Sequence, residues 1–153
     1  KDWDSRIYAG MRAVDLGAAP GGWTWQLVKR HMMVEAIDNG PMKGDLMESG
    51  QVVHHEVDGF KFSPSKKAHW MVCDMAESPI KVAERMAQWI AFDWCSETIF
   101  NLKLPMKKRY TEVQKCIELM NEIIEKADMR VEMSFKHLYH DREEITGHIR
   151  RIY

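Results

Sequence analysis

VDLGAAPGGWTWQLVKR occupies residues 14–30 and sets three glycines between a short apolar strand, residues 14–16, and a helix, residues 24–30. Gly17, Gly21 and Gly22 remove side chains where the strand hands over to the helix, so a ligand can reach the backbone and the helix N-terminus. In an open α/β sheet that turn is where the ligand sits. The turn is not a dinucleotide fingerprint. Ala19 stands where the second glycine of G-x-G-x-x-G would fall, and Pro20 stiffens the loop, which disfavours NAD.

Working outward, strand and helix alternate along the chain. Strands are predicted at residues 13–16, 34–37, 52–57, 70–73 and 98–103, each short and bounded by glycine, proline or polar residues. Residues 79–94 carry Ile80, Ala83, Ala87 and Ile90 at helical spacing. A second apolar stripe, Val113, Cys116, Ile117, Met120, Ile123 and Ile124, predicts a helix starting just after Tyr110. Residues 129–138 and 144–153 then read as two strands joined by YHDR. That turn leaves no room for a crossover helix, so the pair is expected as an antiparallel hairpin. The result is a mostly parallel sheet with a reversed strand at its end.

Composition narrows the partners. A chain of 153 residues with 45% hydrophobic and 29% charged residues is long enough to fold as one domain, residues 1–153. The net charge of -1 provides no general basic field, so contact with nucleic acid requires a local patch. Cys73, Cys95 and Cys116 are odd in number and form no C-x-x-C pair, which suits buried thiols in a reducing compartment. No apolar run is long enough to span a membrane and no signal peptide is visible, so the expected location is cytoplasmic. His54, His55, His137 and His140 have no ligand spacing for a metal, and none is expected.

Two aspartates extend the glycine turn into a candidate cofactor site. Asp38 closes the second predicted strand and Asp58 the third, and strand ends of such a sheet converge on one crevice. A carboxylate after the second strand suits ribose hydroxyls, and one after the third suits the amino edge of an adenine. A tight turn and two solvated aspartates would explain each feature alone; three in register point to a site. Lys107, Lys108 and Arg109 form a basic cluster just after the strand ending at Lys103, with Tyr110 able to stack on a base and Lys61, Lys66 and Lys67 on another loop.

DLGAAPGGW, AIDNGPM, VDGF, VCDM, NLKLPMKKRY and HDREEIT together resemble the FtsJ-type ribose 2′-O-methyltransferases, across nearly the whole chain. The nearest branch modifies a cytidine of large-subunit ribosomal RNA. The resemblance implies a Rossmann-like class I methyltransferase fold and S-adenosylmethionine as cofactor. It implies a cofactor site drawn from Asp15, Gly17, Ala18, Pro20, Gly21, Gly22, Trp23, Asp38, Asp58 and Asp74. It also implies a catalytic set of Asp74 in VCDM, Lys103 in NLKLP and Glu144 in REEIT. Glu143 is the lesser candidate, because a one-residue slip turns a strand side chain to the other face.

The family's first catalytic lysine lies in a Tyr-x-Lys-Leu segment before the first strand, and nothing in residues 1–10 matches it. That segment, with a further RNA-binding domain, is expected upstream. Lys107, Lys108 and Arg109 are the expected RNA contacts. The expected partner is large-subunit ribosomal RNA, with no DNA, no membrane and a monomeric state. Two readings compete: methyl transfer to another hydroxylated acceptor, against which the basic cluster argues, and a non-catalytic cofactor-fold module binding RNA or a partner, against which Lys103, Asp74 and Glu144 argue.

Overall fold

The computed structural model describes residues 10–17, 22–40, 42, 44–75, 77–104, 107–136 and 144–152, with the side chains of residues 45 and 46 left aside. The chain divides into two compact units, Lys1–Cys73 and Asp74–Tyr153.

The first unit contains β1 (Arg12–Leu16), α1 (Gly22–Lys29), β2 (Met33–Ile37), α2 (Gly44–Glu48), β3 (Val52–His55) and β4 (Ala68–Cys73). Its strands hydrogen-bond in the order β3-β2-β1-β4 and all run parallel. Val14, Leu16, Ile37, Met71 and Cys73 are completely buried. Short, nearly uninterrupted apolar runs such as RAVDL and AHWMVC are what strands covered on both faces require. The return from β3 to β4 passes through residues 56–67 without a helix. The third strand is shorter than expected: it ends at His55 instead of residue 57, because Val57 is exposed in the following turn and its N–H folds back onto the His55 carbonyl. The five-residue α2 was not anticipated, as DLME is too short to show a helical period.

The second unit contains α3 (Pro79–Ala91), β5 (Cys95–Lys103), α4 (Arg109–Lys126), β6 (Arg130–Lys136) and β7 (Glu144–Ile152). Val82, Ala83, Met86, Ala87, Trp89 and Ile90 form the buried face of α3. In α4 the buried stripe narrows to Cys116, Met120 and Ile124. Burial, with the charge of Glu112 nearby, pushes the Cys116 thiol up to about 11, so it is protonated at neutral pH. The expected helix over residues 79–94 ends early, because Asp93 takes a left-handed conformation (φ 59°) and Arg151 donates to its carboxylate.

The terminal pair is antiparallel, as its alternation implied, with a difference in placement. β7 does not lie at the end. It inserts between β5 and β6, antiparallel to both, and β6 is its outer neighbour. YHDR lies outside the described residues. Gly147 makes the insertion possible. It stands opposite Phe100 on β5 and Phe135 on β6, whose rings meet edge to face at 6.2 Å. A Cβ there would come within 2.5 Å of the Phe100 ring and 2.8 Å of the Phe135 ring.

Candidate functional site

In the first unit the strand ends are stitched together. Gly17 leaves β1 with φ 73°, a conformation that favours glycine, and its N–H donates to the Ile37 carbonyl at 2.8 Å. The Asp38 N–H in turn donates to the His55 carbonyl at 3.1 Å. The C-terminal ends of β1, β2 and β3 thus form a continuous edge, the end at which a parallel sheet presents its ligand site.

Asp38 is half-buried on that edge, its Oδ1 accepting from the Gly40 N–H at 2.8 Å. His54 Nε2 donates to the Asp38 carbonyl at 3.0 Å. Sequence reasoning missed this tether, since one histidine in a strand carries no signal of its partner. Asp58 does not close a strand; it sits in an exposed turn beyond β3, with Oδ1 accepting from the Phe60 N–H at 2.9 Å. Asp15 is 1% exposed and accepts from the Thr24 hydroxyl at 2.7 Å. That bond ties the end of β1 to the first turn of α1, so Asp15 shapes the turn from beneath. Gly22 opens α1 and Trp23 is half-buried within it, while Ala18, Pro20 and Gly21 lie outside the described residues. His55 is bound to Glu35 at 3.2 Å and packs against Phe62.

The second unit brings Asp74, Lys103 and Glu144 together. Lys103 is the last residue of β5 and stands directly opposite Glu144, the first residue of β7. Its Nζ donates to Glu144 Oε2 at 2.6 Å and to Asp74 Oδ1 at 2.6 Å. The Glu144 side chain is 7% exposed, whereas those of Lys103 and Asp74 are each about a third exposed. Burial pushes the lysine pKa down, but the hydrogen bonds and charges of the two carboxylates outweigh it, and the net result lies above the usual lysine value. Lys103 is therefore an ammonium at neutral pH. Two of its three protons are committed to carboxylates, and the third can meet an incoming oxygen.

Asn101 and Thr146, two residues back from this pair on β5 and two residues onward on β7, were not singled out from the sequence. The Thr146 hydroxyl donates to Asn101 Oδ1 at 2.6 Å, and Asn101 Nδ2 donates to Asp74 Oδ1 at 3.3 Å. Lys107 and Lys108 are exposed, Arg109 is half-buried and Tyr110 is 77% exposed at the start of α4. Lys61 and Lys66 are exposed on the loop of the first unit, with Lys67 half-buried. Among the described residues no three His, Cys, Asp or Glu side chains gather as a metal site.

The sequence profile of the FtsJ-like methyltransferases matches residues 3–140. The chain belongs to this family. Among curated proteins, Ribosomal RNA large subunit methyltransferase M of Edwardsiella ictaluri is 57% identical over 152 residues, covering 99% of this chain and 41% of that protein. The protein of that name from Photorhabdus asymbiotica is 58% identical over 153 residues, covering 99% of this chain and 42% of its own length. The chain thus spans about two fifths of the relatives it matches. Among solved structures, a putative rRNA-methylase from Clostridium thermocellum superposes with a TM-score of 0.69 at 10% identity, covering 99% of this chain and 93% of that one. Fibrillarin of Aeropyrum pernix, solved with natively bound S-adenosyl-L-methionine, gives 0.60 at 13% identity over 94% of this chain and 67% of its own. At such identities these two report the fold alone, and it is the α/β methyltransferase fold expected of an FtsJ-like chain. No helix among the described residues is long and apolar enough to cross a membrane.

Proposed function

We propose that this FtsJ-like domain transfers a methyl group from S-adenosylmethionine to a ribose 2′-hydroxyl of large-subunit ribosomal RNA, at a cytidine, in the cytoplasm. The observation that carries the reading is the Lys103 ammonium held between Asp74 and Glu144 at 2.6 Å on each side. The name shared by relatives 57–58% identical supports the RNA acceptor.

The carboxylates and the bare strand end of the first unit suit the cofactor. Gly17 keeps the end of β1 bare, Asp38 offers a carboxylate of the kind that binds ribose hydroxyls, and Asp58 offers one for an exocyclic amine. When bound, S-adenosylmethionine supplies a sulfonium methyl as the electrophile. The chain's own residues must orient the hydroxyl; as the new C–O bond forms, the methyl's C–S bond would break, S-adenosylhomocysteine would leave and the hydroxyl proton would pass to solvent water. Lys103 does the orienting. Its uncommitted proton points a lone pair of the 2′-oxygen by a charge-assisted hydrogen bond, while Asp74 and Glu144 fix the ammonium in place. Because both carboxylates keep Lys103 charged, orientation rather than proton abstraction is its role in this arrangement. Lys107, Lys108 and Arg109 bind RNA phosphates.

The test is tritiated methyl transfer by the intact protein to deproteinised ribosomal RNA from cells lacking the gene, followed by nucleoside analysis. Label in 2′-O-methylcytidine is the expected result. Label in a base, or none in RNA, overturns the reading.

A further inference from the structure

We propose that Asn101 and Thr146 are positioning residues that fix the Asp74 carboxylate, and through it the Lys103 ammonium, for the transfer step. The inference rests on the catalytic reading of Lys103 and adds a layer beneath it. Lys103↔Glu144 and Asn101↔Thr146 are successive same-face pairs of the β5–β7 ladder. Asn101 is 5% exposed and Thr146 3%, so neither can exchange its partner for bulk water. The amide has one sensible orientation: Nδ2 can only donate and therefore faces the anionic Asp74, while Oδ1 can only accept and faces the Thr146 hydroxyl.

Asp74 Oδ1 accepts from both Asn101 Nδ2 and Lys103 Nζ. A carboxylate gripped at one oxygen from two directions cannot rotate without breaking a bond. Asp74 is itself more than a third exposed and lies just beyond β4, where the ladder no longer restrains it. The Asn101 amide supplies that restraint, and Thr146 prevents the amide from turning over. The run is thus Thr146, Asn101, Asp74, Lys103, Glu144, joined by four hydrogen bonds and anchored on two opposed strands.

The experiment uses the intact protein in steady-state methyl transfer to ribosomal RNA, with melting temperature and S-adenosylmethionine affinity measured for every variant. Thr146→Val removes the hydroxyl at nearly constant shape and Thr146→Ser keeps it. Thr146→Val is expected to lower kcat by about tenfold, the rate equivalent of one lost hydrogen bond, with KM for RNA and cofactor affinity unchanged. Thr146→Ser restores most of the rate. Asn101→Ala lowers kcat at least as far, and the double variant Asn101→Ala with Thr146→Val falls no further, because Thr146 acts through Asn101. Wild-type kcat in Thr146→Val, equal loss in Thr146→Ser and Thr146→Val, or multiplying losses in the double variant each overturn the proposal. Should Asn101→Ala fail to fold, the Thr146 pair still decides the question. Asp74→Ala and Lys103→Ala separate the two levels. If both are inactive while Asn101→Ala turns over normally, only the positioning role fails; if both remain active, the catalytic reading fails as well.

Discussion

Lys103 and Glu144 face each other across the antiparallel β5–β7 ladder, the last residue of one strand against the first of the other, with 2.6 Å between ammonium and carboxylate. Register alone puts them there, and Glu144 is the more buried partner at 7% exposure. Substituting Lys103 by alanine therefore removes the oriented ammonium and leaves an uncompensated carboxylate behind. In the intact protein Lys103→Ala is expected to cut single-turnover methyl transfer by roughly 10²-fold, the cost of misplacing a reacting atom, while the cofactor still binds. Lys103→Arg is expected not to rescue, since a planar guanidinium cannot meet two carboxylates and a hydroxyl from one point. Turnover near wild type in either variant disproves the role.

The same ion cluster sets a pH dependence with a definite sign. The folded-state pKa of Lys103 lies above its ordinary value. A lysine raised on folding contributes stability that is complete below the unfolded value, about 10.4, and fades as pH climbs through the folded one. The melting-temperature gap between wild type and Lys103→Met is therefore expected to stay constant from neutral pH to about pH 10 and to close above it. A gap that closes between pH 7 and pH 9 contradicts the charged state assigned to this lysine.

How far the sequence could be read depends on whether a feature is written locally. The glycine turn was legible because backbone crowding at Gly17 restricts the residue type itself, and φ 73° bears this out. The alternation of residues 130–136 and 144–152 disclosed two strands but not that β7 would slip between β5 and β6. Period carries no information about which neighbour a strand selects. That choice rests on long-range fits such as two phenyl rings over Gly147. Asn101 and Thr146 escaped notice for a related reason, as a buried amide means nothing until register names its partner. Val57 misled in the other direction: a β-branched residue looks like strand, yet here it is exposed in a turn, leaving Asp58 outside β3.

Cofactor affinity is expected to depend on Asp38. His54 and the Gly40 N–H hold this residue at the end of β2, so its loss removes a preset partner for ribose hydroxyls. Asp38→Ala should weaken S-adenosylmethionine binding by about 1.5 to 3 kcal/mol, the value of a hydrogen bond to a charged group. Calorimetry on the intact protein measures it. NAD should give no heat with either form.

RNA affinity is expected to follow the start of α4. Replacing Lys107, Lys108 and Arg109 together by glutamine should weaken RNA binding and reduce its logarithmic salt slope by up to about 2, at about 0.7 per phosphate contact on a single strand. Cofactor affinity should be unaffected. A filter-binding titration across salt concentrations gives both quantities, and an unchanged slope would remove these residues from the RNA surface.

Gly147→Ala tests whether the site depends on how β7 is seated. The added methyl would lie 2.5 and 2.6 Å from Phe100 ring atoms and 2.8 Å from Phe135. Phe100 is completely buried and cannot swing aside into solvent. The strand must therefore shift, at about 1 to 3 kcal/mol for overpacking. Gly147 lies three residues from Glu144 on β7, so that shift displaces Glu144 from Lys103 and Thr146 from Asn101 together. Chemical denaturation should show the loss of stability, and methyl transfer measured well below the new melting temperature should show a fall in kcat beyond the unfolded fraction. Gly147→Ala with Phe135→Leu, which opens space on the β6 side only, should recover part of the stability and little of the activity, because the Phe100 ring still presses on the strand that carries Glu144.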